Sequence, residues 1–251
     1  MMHSDPDLTF VLVHGSWHDG GCWAAVSGHL HNAGFPTLSP TLAGHHDDDD
    51  RGAITHDDYV ASVLGALDST VGPVALVGHS FGGSVISRVA ELRPERCKLR
   101  VYHNAFVPRD GETVADSLPE PFIAFLDEAA ARNPDRSVPL PREVFRAAFA
   151  NTASDQMVDA IYSQIVPEPY APIFEPLALP RLESLGIPSA YISCRQDMAL
   201  PPGSFHPGQS SRLTEPQLIE IDGDHEALYT RPDQLSWALL EAGRVLALPN
   251  A

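Results

Sequence analysis

Short apolar runs alternate with stretches of helical spacing along this chain. Leu8–Val13 is a continuous run of strand length and reads as a buried strand. Trp23–Ala33 has helical spacing and stops at Gly34. Phe35–Leu38 is a second short strand, and Thr41 to Gly52 is a polar loop. Tyr59, Val60, Val63, Leu64 and Leu67 recur at helical intervals and predict a helix over Asp57–Ser69. Val74–Val77 lacks alternation, as expected of a strand covered on both faces. Phe81–Leu92 then reads as a helix and Leu99–Tyr102 as a strand.

The texture changes between Pro108 and Pro180, which is rich in Pro and Ala. Helical pieces are predicted near Pro121–Ala131, Pro141–Ala150 and Ser154–Ile165, so this stretch reads as a helical insertion. Strands resume at Ala190–Ser193 and Gln217–Ile221, and a closing helix over Asp233–Leu246 follows Pro232. Strand–helix alternation predicts an α/β fold: a mostly parallel central sheet flanked by helices on both faces. The expected organisation is one domain. Its core covers about residues 1–107 and 181–251, interrupted by the insertion at about 108–180.

Composition narrows the function classes. Of 251 residues 43% are apolar, enough for a sizeable core and too many for a disordered chain. The balance of 16 Lys+Arg against 33 Asp+Glu gives 16 − 33 = −17. That charge argues against DNA, RNA or an anionic membrane as partner. The densest basic stretch, Arg93–Arg100, is short and contains Glu95. The three cysteines, Cys22, Cys97 and Cys194, form no CxxC pair, so neither a zinc ribbon nor a disulfide framework is supported. Leu8–Val13 is too short to span a bilayer, and Met1–Asp7 lacks the basic start of a secretory signal. The expected location is cytoplasmic.

The chemistry centres on Gly78-His79-Ser80-Phe81-Gly82-Gly83, between a predicted strand and a predicted helix. In that context G-x-S-x-G is a nucleophile elbow, a sharp turn that crowds any bulky flanking residue. The helix that follows aims its N-terminus at developing negative charge. A serine hydroxyl needs a base. Of 12 histidines, His225 lies after the last strand and before the last helix, where this order of elements carries it. Asp197, after the preceding strand, is the candidate acid that fixes the imidazole tautomer. Asp224 is adjacent to the histidine and poorly placed to reach its ring. Two backbone N–H groups, of Phe81 and of Ser16 in His14-Gly15-Ser16-Trp17, are the candidate oxyanion hole. His14, Gly15 and Trp17 are candidate substrate contacts. No nicotinamide, flavin or phosphate-binding signature competes.

With these residues in view, the sequence resembles the α/β-hydrolases, and more narrowly the plant methyl-ester esterase and hydroxynitrile lyase group with its bacterial relatives. Four segments carry the resemblance: Phe10–His18, Pro40–Gly44, Gly78–Gly83, and Gly223-Asp224-His225 with Thr230-Arg231-Pro232. The resemblance implies that the insertion is a cap over the site, with Phe122, Phe125, Leu126, Phe145, Phe149, Met157, Ile161 and Tyr162 as candidates for its inner face. It implies no cofactor and no metal. Cyanohydrin lyases of the group carry a threonine and a lysine where this chain has Gly15 and Glu226, which favours ester hydrolysis. The tract His45-His46-Asp47-Asp48-Asp49-Asp50 departs from the group's pattern and reads as a solvated loop.

The expected function is therefore hydrolysis of a carboxylic ester or lactone of a small apolar or aromatic molecule by Ser80, His225 and Asp197. Two alternatives stand beside it: a lyase or cyclase using the same site on a polyketide-like substrate, and a catalytically silent fold that binds a small ligand. A homodimer is left open.

Overall fold

The computed structural model describes residues 8–46 and 49–244. Its core elements in chain order are β1 (Thr9–Val13), α1 (Ala24–Asn32), β2 (Thr37–Leu38), α2 (His56–Asp68), β3 (Val74–His79), α3 (Gly82–Leu92) and β4 (Cys97–His103). An excursion follows: α4 (Glu120–Arg132), β5 (Ser137–Val138), α5 (Arg142–Val144) running into a π-helical turn over Phe145–Phe149, α6 (Asp155–Tyr162) and β6 (Glu168–Pro169). The core resumes with β7 (Ser189–Cys194), β8 (Gln217–Ile221), α7 (Ala227–Thr230) and α8 (Pro232–Arg244).

Six strands pair in the order β2-β1-β3-β4-β7-β8, every pair parallel. β1 and β3 are buried throughout because both faces are covered. Alternation sorts their side chains into two cores. Phe10, Leu12, Ala75 and Val77 pack with Trp23 and Leu30 and with Leu235 and Leu239 of α8. Val11, Val13, Val74 and Leu76 pack with Tyr59 and Val63 of α2 and with Val85 and Val89 of α3. Helix starts follow local chemistry. Thr55 and Asp58 form a capping box at α2, and Ser154 caps α6 through Met157 N–H at 3.3 Å.

The register aligns the strand ends. Val13 pairs with Gly78 and His79 with His103, so the residues that follow β1, β3 and β4 meet at one edge of the sheet. This is the carboxyl edge, where open α/β sheets bind ligands.

Boundaries differ from the sequence reading in instructive ways. The second strand is only Thr37–Leu38, and Phe35 instead packs edge-on against Phe10. The expected helix at Pro141–Ala150 is three residues of α-helix and a π turn, closed by Ala150 N–H on Phe145 O at 3.0 Å. The expected end of the last helix, Val245–Leu246, lies outside the described residues. The antiparallel ribbon of β5 and β6 has no sequence signature, because two residues per strand cannot show a period of two. Among the described residues no helix is long and apolar enough to cross a membrane.

Candidate active site

Ser80 sits between β3 and α3 with φ +52°, a left-handed backbone that is strained for serine. The turn holds it there: Ser80 N–H donates to His103 O at 3.1 Å, and Ser80 O accepts from Gly83 N–H and Phe106 N–H, each at 3.1 Å. Crowding explains the glycines. A Cβ on Gly78 would lie 2.5 Å from Gly82 O, and one on Gly83 would lie 2.2 Å from Phe106 O.

His225 is delivered by the turn between β8 and α7. Its Nδ1–H donates to Asp197 Oδ2 at 2.8 Å, and both side chains are about 1% exposed. Asp197 Oδ1 accepts from Ala199 N–H and Leu200 N–H at 2.8 and 2.9 Å, which fixes the carboxylate. Burial alone would lower the His225 pKa, but the charge and hydrogen bond of Asp197 outweigh it and hold it above the ordinary 6.5. The other nitrogen, Nε2, is buried and has no hydrogen-bond partner among the described residues. Asp224 is engaged elsewhere: it accepts from Thr152 N–H, Thr152 Oγ1 and Thr230 Oγ1.

His79, the residue before Ser80, is not among the expected site residues, yet it reaches His225. Its Nε2–H donates to His225 O at 3.0 Å and the two rings lie 4.6 Å apart. Burial, then the neighbouring imidazoles of His225, His103 and His18, push its pKa well below 6.5.

The arm after β1 runs His14-Gly15-Ser16-Trp17-His18. The structure places His14 elsewhere than expected of a substrate contact. It is fully buried away from the cavity, donates from Nδ1 to Gly15 O at 2.9 Å, and accepts at Nε2 from Leu42 N–H at 3.0 Å. Gly15 is likewise not part of the cavity wall, because it packs on the elbow: a Cβ there would lie 2.7 Å from Ser80 Cβ. Trp17, at φ +65°, does line the cavity. His18 donates from Nδ1 to Ser16 O at 2.8 Å, and its Nε2 lies 3.1 Å from Glu226 Oε2 without hydrogen-bond geometry. Burial lowers the His18 pKa, but the Glu226 charge outweighs it and raises the net value. Glu226 is thus turned to His18, not to the cavity.

A cavity of about 590 Å³ opens over these groups, with Ser16, Trp17, Ser80, Phe81 and His225 in its wall. The excursion supplies Phe122, Leu126 and Phe149. Of the other candidates for an inner face, Phe125, Phe145, Ile161 and Tyr162 pack in the core, and Met157 is 39% exposed. The wall is dominated by aromatic and aliphatic side chains, as in pockets for small apolar ligands.

The acidic tract is exposed at His46 and Asp50 and half-buried at Asp49, as expected of a solvated loop, but its first residue is not. His45 is 1% exposed and pairs through Nε2 with Glu168 Oε2 at 2.9 Å, and Arg51 ties His46 O and Asp49 O to Pro167 O. Asp47 and Asp48 lie outside the described residues. No cluster among the described residues has the make-up of a metal site.

The family model for the alpha/beta hydrolases matches residues 10–236. The chain belongs to the alpha/beta hydrolase family. As a member, it is similar to the carbendazim hydrolyzing esterase of Nocardioides sp. (strain SG-4G), at 32% identity over 68% of this chain and 73% of that one. It is 26% identical to the putative chloroplastic methylesterase 15 of Arabidopsis thaliana over 94% of this chain. That match spans 56% of the methylesterase, so the chain covers little more than half its length. Among solved structures, an extracellular alpha/beta-hydrolase from a Paenibacillus species matches with TM-score 0.90 and 38% identity over 94% of this chain and 99% of that one. It is described as sharing structural and functional homology with tobacco salicylic acid binding protein 2. These relatives support an ester-cleaving alpha/beta hydrolase.

Proposed function

We propose that this alpha/beta hydrolase cleaves a carboxylic ester, lactones included, of a small apolar or aromatic molecule, with Ser80 as nucleophile, His225 as base and Asp197 as its orienting acid. The observation that carries the reading is the Asp197–His225 bond, which leaves a proton on Nδ1 and a free Nε2 beside the cavity that Ser80 also lines. His225 Nε2 takes the Ser80 proton as Oγ bonds to the ester carbonyl carbon. The carbonyl oxygen becomes an oxyanion, received by the N–H groups of Ser16 and Phe81 at the start of α3. Collapse breaks the carbon–oxygen bond of the leaving alcohol, which takes the proton from His225. Water, activated by the same imidazole, then releases the acid from Ser80.

Residues 108–180 act in this reading as a cap whose Phe122 and Phe149 shape the acyl or alcohol pocket. The apolar wall and the charge of −17 support a small neutral substrate, not a nucleic acid or an anionic membrane. Three buried, unpaired cysteines support a cytoplasmic location. Cyanohydrin-lyase chemistry is disfavoured because Gly15 leaves no space for a threonine beside Ser80 and Glu226, where a lysine would stand, is turned to His18.

Intact mass after exposure to a fluorophosphonate tests the nucleophile, followed by turnover of an ester and lactone panel. One adduct on the wild type and none on Ser80→Ala is the expected result. A folded wild type that takes no adduct and turns over no ester would overturn the assignment.

A further inference from the structure

Glu168 is a fully buried carboxylate that the mechanism above does not use. It sits on β6 of the excursion, and three core elements send it donors. Trp17 N–H reaches Oε2 at 3.0 Å, His45 Nε2 reaches Oε2 at 2.9 Å, and Tyr59 OH on α2 reaches Oε1 at 2.9 Å. Burial, then the Glu168 charge, hold the Tyr59 pKa well above its ordinary value, so its hydroxyl keeps the proton it donates.

Every polar group of Trp17 is committed to the excursion. Its N–H goes to Glu168, its carbonyl accepts from Val166 N–H at 2.9 Å, and its indole N–H donates to Val138 O at 2.8 Å. The arm also holds itself: His14, anchored by Leu42 N–H, holds Gly15 O, and His18, beside Glu226, holds Ser16 O. The Ser16–Trp17 peptide therefore has its carbonyl held by His18 and its N–H bonded to the excursion. A trans peptide points these two groups in opposite directions, so the two bonds fix its plane, and the preceding peptide, which carries Ser16 N–H, has its carbonyl Gly15 O held by His14, so Ser16 is clamped on both sides. The left-handed Trp17 backbone is a conformation that persists only when its surroundings over-determine it.

We propose that Glu168 is a positioning residue for the oxyanion arm: by binding Trp17 N–H it keeps Ser16 N–H aimed at the cavity, so the oxyanion hole is complete only when the excursion is seated on the core. The proposal rests on the assignment of Ser16 as an oxyanion donor. Without the carboxylate, Trp17 N–H is a buried donor with no acceptor and the arm relaxes toward an ordinary backbone. The first loss is then transition-state binding, not substrate binding.

The test compares Glu168→Ala and Glu168→Gln with the wild type. The readouts are kcat and KM for a p-nitrophenyl ester, and Ki for an aryl trifluoromethyl ketone beside its methyl ketone counterpart. The trifluoromethyl ketone adds Ser80 Oγ to its carbonyl carbon, passes the Oγ proton to His225, and leaves a tetrahedral oxyanion in the hole. In Glu168→Ala, kcat should fall and the trifluoromethyl ketone Ki should rise by about 10². KM and the methyl ketone Ki should hold within about threefold. Glu168→Gln keeps an oxygen for Trp17 N–H and should recover most of the loss. If Glu168→Ala does not fold, Glu168→Asp, which withdraws the oxygen by one methylene, gives the same reading. A variant with lowered thermal stability but an unchanged ratio of the two Ki values would make Glu168 merely structural and overturn the proposal. A wild type inert to both the fluorophosphonate and the trifluoromethyl ketone would instead fail the assignment of Ser80, and this proposal with it.

Discussion

His79 Nε2 donates to the backbone carbonyl of His225 at 3.0 Å, so the residue before Ser80 also holds the turn that carries His225. The elbow and the base loop are 146 positions apart in sequence and joined by this one bond. Replacing His79 by Phe keeps a ring against His225 and strands a buried carbonyl. We expect kcat to fall about tenfold with KM little changed, the equivalent of roughly 1.4 kcal/mol. Unchanged turnover in a folded His79→Phe would show that the bond does not position the base.

Asp197→Asn should be far more damaging. The amide can still accept from Ala199 and Leu200 N–H, so the fold is expected to stand. The tautomer and the charge that favour an imidazolium on His225 are lost, and kcat should drop by about 10³ to 10⁴. Steady-state turnover beside a thermal melt checks both halves. A drop below tenfold would remove Asp197 from the role of orienting acid.

Gly15→Ala tests the close approach of the arm to the elbow. Its Cβ would stand 2.7 Å from Ser80 Cβ, and the neighbouring contacts are His79 O and the His79 ring, so no flexible side-chain end can yield. Arm and elbow must part, and displacements of about 1 Å at such a site cost about 10² in rate. Fluorophosphonate labelling kinetics read the change directly, and wild-type labelling rates in this variant would contradict the packing argument.

Activity should rise with pH along an acid limb set by His225, which must be neutral to accept the Ser80 proton. Because its pKa is raised above 6.5, the midpoint of log kcat/KM against pH is expected above that value. A limb centred below 6.5 would assign the titration to another group.

Stability carries two opposite histidine contributions. His18 and His225 have raised folded pKa values, so what they add is complete below 6.5 and is lost as pH rises through the folded values. His56 and His103 are lowered by burial to about 4, so their contribution is complete above 6.5 and is lost as pH falls from 6.5 toward 4. Chemical denaturation across that acid window should show declining stability, and His56→Gln should flatten the decline. An unaltered slope in the variant would mean that His56 is not titrating there.

The strands and the turn around Ser80 were legible in the sequence because each depends largely on neighbours along the chain. Val74–His79 is apolar until the turn, and Gly78 answers the backbone of Gly82 and Gly83 within the same strand–turn–helix unit, whereas Gly82 and Gly83 answer Val13 O and Phe106 O from outside it. His225 and Asp197 were readable from their place after strands, since a parallel sheet brings strand ends to one edge. What the tertiary structure alone decided are pairings between distant segments. His45, in a tract that looks solvated, is buried because a carboxylate 123 positions away needs a partner. Glu226 faces His18 because the base loop and the arm close on each other. His14 turned from cavity to support because the amide of Leu42 lies within reach of its ring. Glu168 sits in a strand too short to carry a period, and its meaning comes from three donors that only the folded chain assembles. Local sterics and apolar periodicity are written in adjacent residues. The desolvation and pairing of buried charges depend on what folds against them.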